Sequence, residues 1–471
     1  MSDRACVVGA GSNGLAAAIV LAKAGLQVDV LEAQSTPGGA ARTLELTLPG
    51  FLHDFGSAVH PLAAASPFFS SLPLDQYGLQ WIHSPSVLAH PLDDGTAVML
   101  ERDLGATCAA LGVDGPAWNK LVRPFVERWP QLAPGLLRPV SFTPKHPLLM
   151  ARFGLLAVQS AQAVAGRFRS ARTRALFAGL AAHSFLGMDE SLSAAFALLM
   201  AIPAHVVGWP IPRGGAQSIT NALCVLLSTL GGRVSVSSPV ENLSALVGYK
   251  LVLCDLTPRQ LLKVGAEKFS ASYKQQLEKF RYGTAAFKVD YALNAPIPWK
   301  ARECLRAATV HLGGTFEEIA ESEQTVRSGK PPERPFILLS QPSLFDSTRA
   351  PAGQHTAWAY CHVPNGCTVD MLQTLENQIE RFAPGFRDCV LARRVFSPAG
   401  LESMDANLVG GDIAGGAMDI RQFLFRPTWR HYATSARDIY ICSSSTPPGG
   451  GVHGMCGYHA AEMALSAEVR G

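Results

Sequence analysis

Residues 6–33 read CVVGAGSNGLAAAIVLAKAGLQVDVLEA, and the rest of the chain is best understood outward from them. An apolar, β-prone run (Cys6, Val7, Val8) leads into Gly9, Gly11 and Gly14, and Ala and Leu then recur along a helical stretch to Ala24. Gly25 stops that helix, and QVDVLE is a second strand ending at Glu32. Strand, GxGxxG turn, helix, strand and acid in this order form the dinucleotide-binding fingerprint. Gly9 allows the tight turn, Gly11 lets a pyrophosphate approach the backbone, and Gly14 lets the helix pack closely on the strand. Ser12 and Asn13 open the helix, where unpaired N–H groups and the positive dipole end suit phosphates. The Glu32 carboxylate can accept hydrogen bonds from ribose hydroxyls and repels a 2′-phosphate, so NADP is disfavoured. Between NAD and FAD this stretch alone does not choose.

At 471 residues the chain is too long for one core and calls for two or three domains. With 48% hydrophobic and 16% charged residues it is globular, not disordered. A net charge of +3 makes no case for nucleic acid. Ten cysteines lie scattered without CxxC pairs or metal-ligand spacing, which predicts reduced thiols in a cytoplasmic protein and no metal site. With Met1 so close to Cys6, no signal peptide is expected ahead of the first strand. Residues 191–212, SLSAAFALLMAIPAHVVGWPIP, are uncharged and about as long as a bilayer-spanning helix. Pro203, Pro210 and Pro212 break them, which predicts a buried helix followed by a turn.

Further along, TPGGAART (residues 36–43) offers a second glycine pair, and Asp94-Gly95 marks a hairpin. Residues 117–200 have helical periodicity. Alternating βα signals return with PRGGAQSITNAL and KLVLCDLTP, and the runs AAFKVDYAL, PFILLSQPS and HTAWAYCHV look like strands. Gly-rich βα character resumes at the C-terminal end. The simplest organisation is a dinucleotide domain assembled from residues 1–66, 205–262 and 405–471, with a second domain inserted as residues 67–204 and 263–404.

Four motifs in that order, VVGAGSNGLAAA, PGGAARTLELTLPGF, PRGGAQSITNAL and TPPGGGVHGMCGYHAA, carry a resemblance that runs nearly end to end. The chain resembles the phytoene-desaturase-related flavoproteins of the amine-oxidase and glutathione-reductase-like group, and among them the bacterial relatives of pyridine nucleotide-disulphide oxidoreductase domain-containing protein 2. The resemblance implies an α/β fold: a Rossmann-type FAD-binding domain built from three segments, plus an inserted α+β substrate domain. It also implies FAD as the dinucleotide held by Gly9, Gly11, Ser12, Asn13, Gly14 and Glu32. Gly38 and Gly39 permit a backbone to lie against a phosphate that Arg42 could neutralise. Carotenoid desaturases place arginine directly after the glycine pair, whereas here Ala40 and Ala41 intervene. Val240 falls where the family pairs a strand backbone with adenine. At the final motif the resemblance points a helix N-terminus at the flavin pyrimidine edge, with Gly451, Val452, Gly454 and Met455 around it. Three consecutive glycines, Gly449 to Gly451, are costly unless something approaches closely.

Histidine is the acid or base in these motifs whose ordinary pKa lies near neutrality. His60, in FGSAVHPL, and His453, in the glycine turn, are the candidate catalytic residues; His362 is a candidate for lining the substrate cavity. Neither a redox disulfide nor a second nucleotide fingerprint is visible, which leaves oxygen, a quinone or a redox-neutral cycle for the electrons. The expected function is FAD-dependent hydride transfer to or from a hydrophobic, unsaturated substrate, giving desaturation, oxidation or isomerisation. Amine oxidation is the enzymatic alternative, with Trp209 as an aromatic candidate, and a flavin-stabilised binding protein without turnover is the non-enzymatic one. Residues 128–188 hold eight Lys/Arg and no Asp or Glu among apolar runs, a composition suited to an anionic membrane surface or to a solvated helix pair over the pocket. A hydrophobic small molecule is therefore the expected partner, with peripheral membrane contact and a homodimer both open.

Overall fold

Runs such as RACVV, LVLC and AAFKVDYAL are apolar over most of their length, the pattern of strands covered on both faces rather than one. A computed structural model describes residues 3–140 and 143–469. In it, two large sheets are built from β1 (Arg4–Val8), β2 (Gln27–Leu31), β3 (Ser86–Pro91), β4 (Ala97–Leu100), β5 (Arg233–Ser235), β6 (Leu251–Cys254), β7 (Ala285–Leu293), β8 (Ala307–Leu312), β9 (Ile337–Ser340), β10 (His355–Val363), β11 (Val390–Phe396) and β12 (Ile439–Ile441). The helices that bear on the site are α1 (Ser12–Lys23), α2 (Pro147–Ala157), α3 (Ala171–Ala182), α4 (Ser193–Val206), α5 (Gln217–Thr229) and α6 (Met455–Glu468).

The first sheet runs β12-β6-β1-β2-β5 and is parallel throughout. Its central strand β1 leads directly into α1, which packs against α5 and α6. Such close packing explains the small residues of α1 and α6. A Cβ on Gly457 would drive into the Asn13 carbonyl oxygen, and one on Gly14 into that of Gly9. Strands of this sheet come from residues 4–31, 233–254 and 439–441.

The second sheet runs β11-β7-β10-β9-β8-β3-β4, antiparallel except where β8 meets β3. The β3–β4 hairpin turns at Asp94-Gly95, with Gly95 at φ +81°. One face packs on the helix Leu372–Phe382 through Val289, Tyr291, Leu339, Ala359 and their neighbours. The opposite face lies under the helical layer that contains α3 and α4. Register puts two rows of side chains on that face. Lys288, Tyr360, Leu338 and His311 pair in sequence across β7, β10, β9 and β8, and Asp290, Trp358, Ser340 and Thr309 form the next row. The uncharged stretch 191–212 becomes the buried helix α4 with Pro203 in its last turn. Among the described residues no helix is long and apolar enough to cross a membrane.

Candidate active site

A cavity of about 830 Å³ runs from the C-terminal ends of β1, β2 and β6 to the helix-covered face of the second sheet. Ligands of parallel α/β sheets bind outside the carboxyl ends of the strands, and the nucleotide end of this cavity lies there. Gly9 and the opening of α1 (Gly11, Ser12, Asn13) line it, and the residue that begins the helix, Gly11, has no side chain to cap it. Gly38 is drawn against the first turn by its N–H, which donates to the Ala10 carbonyl at 2.9 Å. Gly39 beside it adopts φ +56°. Glu32, at the end of β2, is buried and lines the cavity; its carboxylate accepts the N–H groups of Ala10 (2.7 Å) and Gln34 (2.8 Å). Each oxygen keeps a lone pair for a ribose hydroxyl. Asn13 Oδ1 is buried without a protein partner.

Arg42 is buried, and its guanidinium donates to the carbonyls of Gly39 and Met404, each at 2.7 Å, and lies over the Phe55 ring. It reaches the cavity despite the two intervening alanines. Val240 lines the cavity too, but from irregular backbone beyond β5 rather than from a strand.

Asp255, immediately after β6, was not singled out by the sequence reading. Its Oδ2 accepts the Gly14 N–H at 2.9 Å, under the first glycine turn. Burial, with the negative charges of Asp405 and Glu32 adding, pushes its pKa up to about 7. An acid at the carboxyl end of a parallel strand, in VLCDLTP, is the signal that could have marked it.

The C-terminal turn divides. Gly450, Gly451 and Val452 line the cavity, but His453, Gly454 and Met455 do not. Gly454 is the left-handed residue before α6 (φ +69°), and a Cβ there would come 2.5 Å from the Phe69 ring, so packing accounts for the glycine. The Met455 N–H, expected to face flavin, donates instead to His453 Nδ1 at 3.0 Å. The His453 carbonyl accepts from Ser66 Oγ at 2.7 Å, and burial holds the ring neutral with a pKa of about 4. The His453 ring closes the turn and does not line the cavity. Beneath the turn Arg426 is fully buried, donating to the carbonyls of Gly415 (2.7 Å) and Ser444 (2.8 Å).

His60 does line the cavity, with Nε2 free of protein partners, and burial pushes its pKa down to about 4. The rest of this end is mostly apolar. Phe185, Phe196, Leu199, Met200 and Trp209 face Ala286, Leu338, Trp358 and Tyr360 of the sheet. Lys288 is the buried cation here, paired with Asp290 and within 5.8 Å of the Trp358 ring centre. Burial pushes both partners toward their neutral forms, Lys288 downward and Asp290 up to about 6. A lysine inside a nine-residue buried strand is a signal the sequence offered. His362 does not line the cavity: its Nδ1 pairs with Glu323 at 2.9 Å, behind the Phe185 ring.

These residues fit FAD. A glycine turn opens a helix toward the cavity, a buried acid ends the second strand, and Asn13 presents an unpartnered amide oxygen. Fold and site together define an FAD-dependent oxidoreductase with a glutathione-reductase-like nucleotide domain and a mixed-sheet substrate domain. Over nearly its whole length the chain is similar to phytoene desaturases and their relatives. The family of NAD(P)-binding Rossmann-like domains matches residues 7–72. Pyridine nucleotide-disulfide oxidoreductase domain-containing protein 2 of Mus musculus is 26% identical over 98% of this chain and 92% of that protein. A lycopene-forming phytoene desaturase of Pseudescherichia vulneris is 25% identical over 98% of each chain. Wild-type putrescine oxidase bound to putrescine shares the fold with a TM-score of 0.62 at 16% identity, covering 100% of each chain.

Proposed function

We propose that this oxidoreductase moves a hydride between its flavin and a carbon–carbon bond of a hydrophobic, unsaturated substrate of isoprenoid, carotenoid or lipid kind. The observation that carries the reading is the continuity of the cavity from the nucleotide end onto an apolar sheet face beneath α4. Burial there is worth ~0.8 kcal/mol per CH₂, enough to bind a chain with few polar contacts. When bound, FAD supplies the hydride acceptor or donor. Glu32 would hold the ribose, the opening of α1 and Arg42 the pyrophosphate, and Gly450 to Val452 the ring edge. His60, neutral and with Nε2 unpartnered, would take or return the accompanying proton. Trp358 and Tyr360 stack side by side along one strand, 5.7 Å apart at 23°, rather than facing each other across a ligand, and so form no cage for an amine. The test is anaerobic flavin reduction against polyenes, unsaturated fatty acids and amines. Bleaching by a polyene or fatty acid supports the reading, and bleaching by amines alone overturns it.

The strand sources of the two sheets support dividing the chain into an FAD-binding domain of residues 1–66, 205–262 and 405–471 and a substrate domain of residues 67–204 and 263–404. Peripheral membrane contact belongs to the same proposal. Helix α2 lies in the acid-free stretch and exposes Leu148 (86%) and Leu155 (71%), with Val158 just beyond it.

A further inference from the structure

We propose that the part of the cavity over β8, across the sheet face from Lys288, is a receptor for a neutral oxygen on the substrate, an alcohol or carbonyl held by Thr309 and His183. This rests on the apolar-substrate reading above and narrows it to chains that carry such an oxygen.

The row Lys288, Tyr360, Leu338, His311 crosses three strand spacings, roughly 14 Å at ~4.8 Å each. At its far strand the chemistry changes. Thr309 lines the cavity two residues before His311 on the same face of β8, and its Oγ1 is buried without a partner. Ser340, directly opposite it on β9, has an equally unpartnered buried hydroxyl. Buried polar groups are normally satisfied, so neighbouring orphans beside a cavity point to a ligand that satisfies them.

His183, at the C-terminal end of α3, also lines the cavity and places Nε2 3.1 Å from His311 Nε2. Burial pushes the His183 pKa down to about 3 and that of His311 well below its ordinary value, so both rings are neutral and one N–H lies between them. His311 Nδ1 is buried without a partner beside Gly179. A buried orphan acceptor is tolerated more readily than a buried orphan N–H, which leaves Nδ1 bare and puts the His311 proton on Nε2. His311 then donates to His183 Nε2, and His183 carries its own proton on Nδ1. A residue lining the same cavity as Thr309 thereby carries a neutral donor. Neutral donors favour a carbonyl or hydroxyl oxygen; among the described lining residues, the cation on this sheet face is Lys288, at the other end of the row.

The test uses the FAD-loaded protein and two probes of one skeleton, farnesol and farnesene, with dissociation constants read by calorimetry. Farnesol should bind about tenfold more tightly, the worth of one or two neutral hydrogen bonds. Thr309→Val and His183→Leu should each remove most of that preference while farnesene affinity and flavin content stay unchanged. His183→Gln, which keeps a donor, should retain part of it. Equal affinities in the parent protein, or a preference that survives Thr309→Val and His183→Leu together, overturn the receptor alone. Binding of neither probe overturns the apolar-substrate reading, and the receptor with it.

Discussion

Asp255 and Gly11 act on the same turn from opposite sides. A Cβ on Gly11 would come 2.6 Å from Asp255 Oδ2, so Gly11→Ala should already lose most FAD, and Gly11→Val all of it, as flavin absorbance of the purified protein will show. The folded-state pKa of Asp255 is raised, so folding binds a proton that the unfolded chain has already released above pH ~4. Stability from this group is full below that pH and falls as pH rises through about 7. Asp255→Asn should therefore raise stability by on the order of 1–3 kcal/mol at pH 8 and change it little at pH 4, measured by urea unfolding of apoprotein. The histidines separate in the same way. His60→Gln should keep the flavin spectrum and slow anaerobic reduction ~10²- to 10⁴-fold, the usual reach of acid–base catalysis. His453→Ala should instead lower FAD occupancy and melting temperature and leave the rate per bound flavin nearly unchanged, because its ring is tied to the Met455 N–H. Equal effects of the two would refute that division.

The glycine turns, Glu32 and the α4 interruption were legible in the sequence because each is fixed by residues a few positions apart. The cavity floor was not, because it depends on strand register between distant segments. AAFKVDYAL reads as a strand, yet only its pairing with β10 shows that Lys288 and Asp290 share the cavity face with Tyr360 and Trp358. His183 and His311, likewise, are joined across 128 positions. The place of His453 was hidden for a related reason: the turn that holds it is tied to Ser66, far earlier in the chain. At this scale the buried Lys288–Asp290 pair makes its own prediction. Lys288→Met strands a carboxylate and should cost ~3–5 kcal/mol, whereas Lys288→Met with Asp290→Leu should recover much of that. Unfolding of both variants and of Asp290→Leu completes the cycle, and additive losses would show that the pair is not coupled.

Charge is spread unevenly over the whole molecule: the net value is only +3, but residues 128–188 contribute eight positive charges and no negative one. Within them α2 turns Leu148 and Leu155 to solvent, seven positions apart and thus on one side of the helix, near Arg152. Exposed leucines beside basic residues are what an amphipathic membrane contact requires, each Lys/Arg near an anionic surface adding ~1 kcal/mol. An apolar substrate delivered from lipid would make such contact useful. Flotation with vesicles containing anionic lipid should carry the protein upward at low salt and lose it as ionic strength rises, since screening weakens the attraction. Leu148→Ser with Leu155→Ser should weaken binding at every salt concentration, because it removes burial rather than charge. If neutral and anionic vesicles behave alike, the basic stretch is a solvated cover over the substrate domain, and the substrate must arrive by another route.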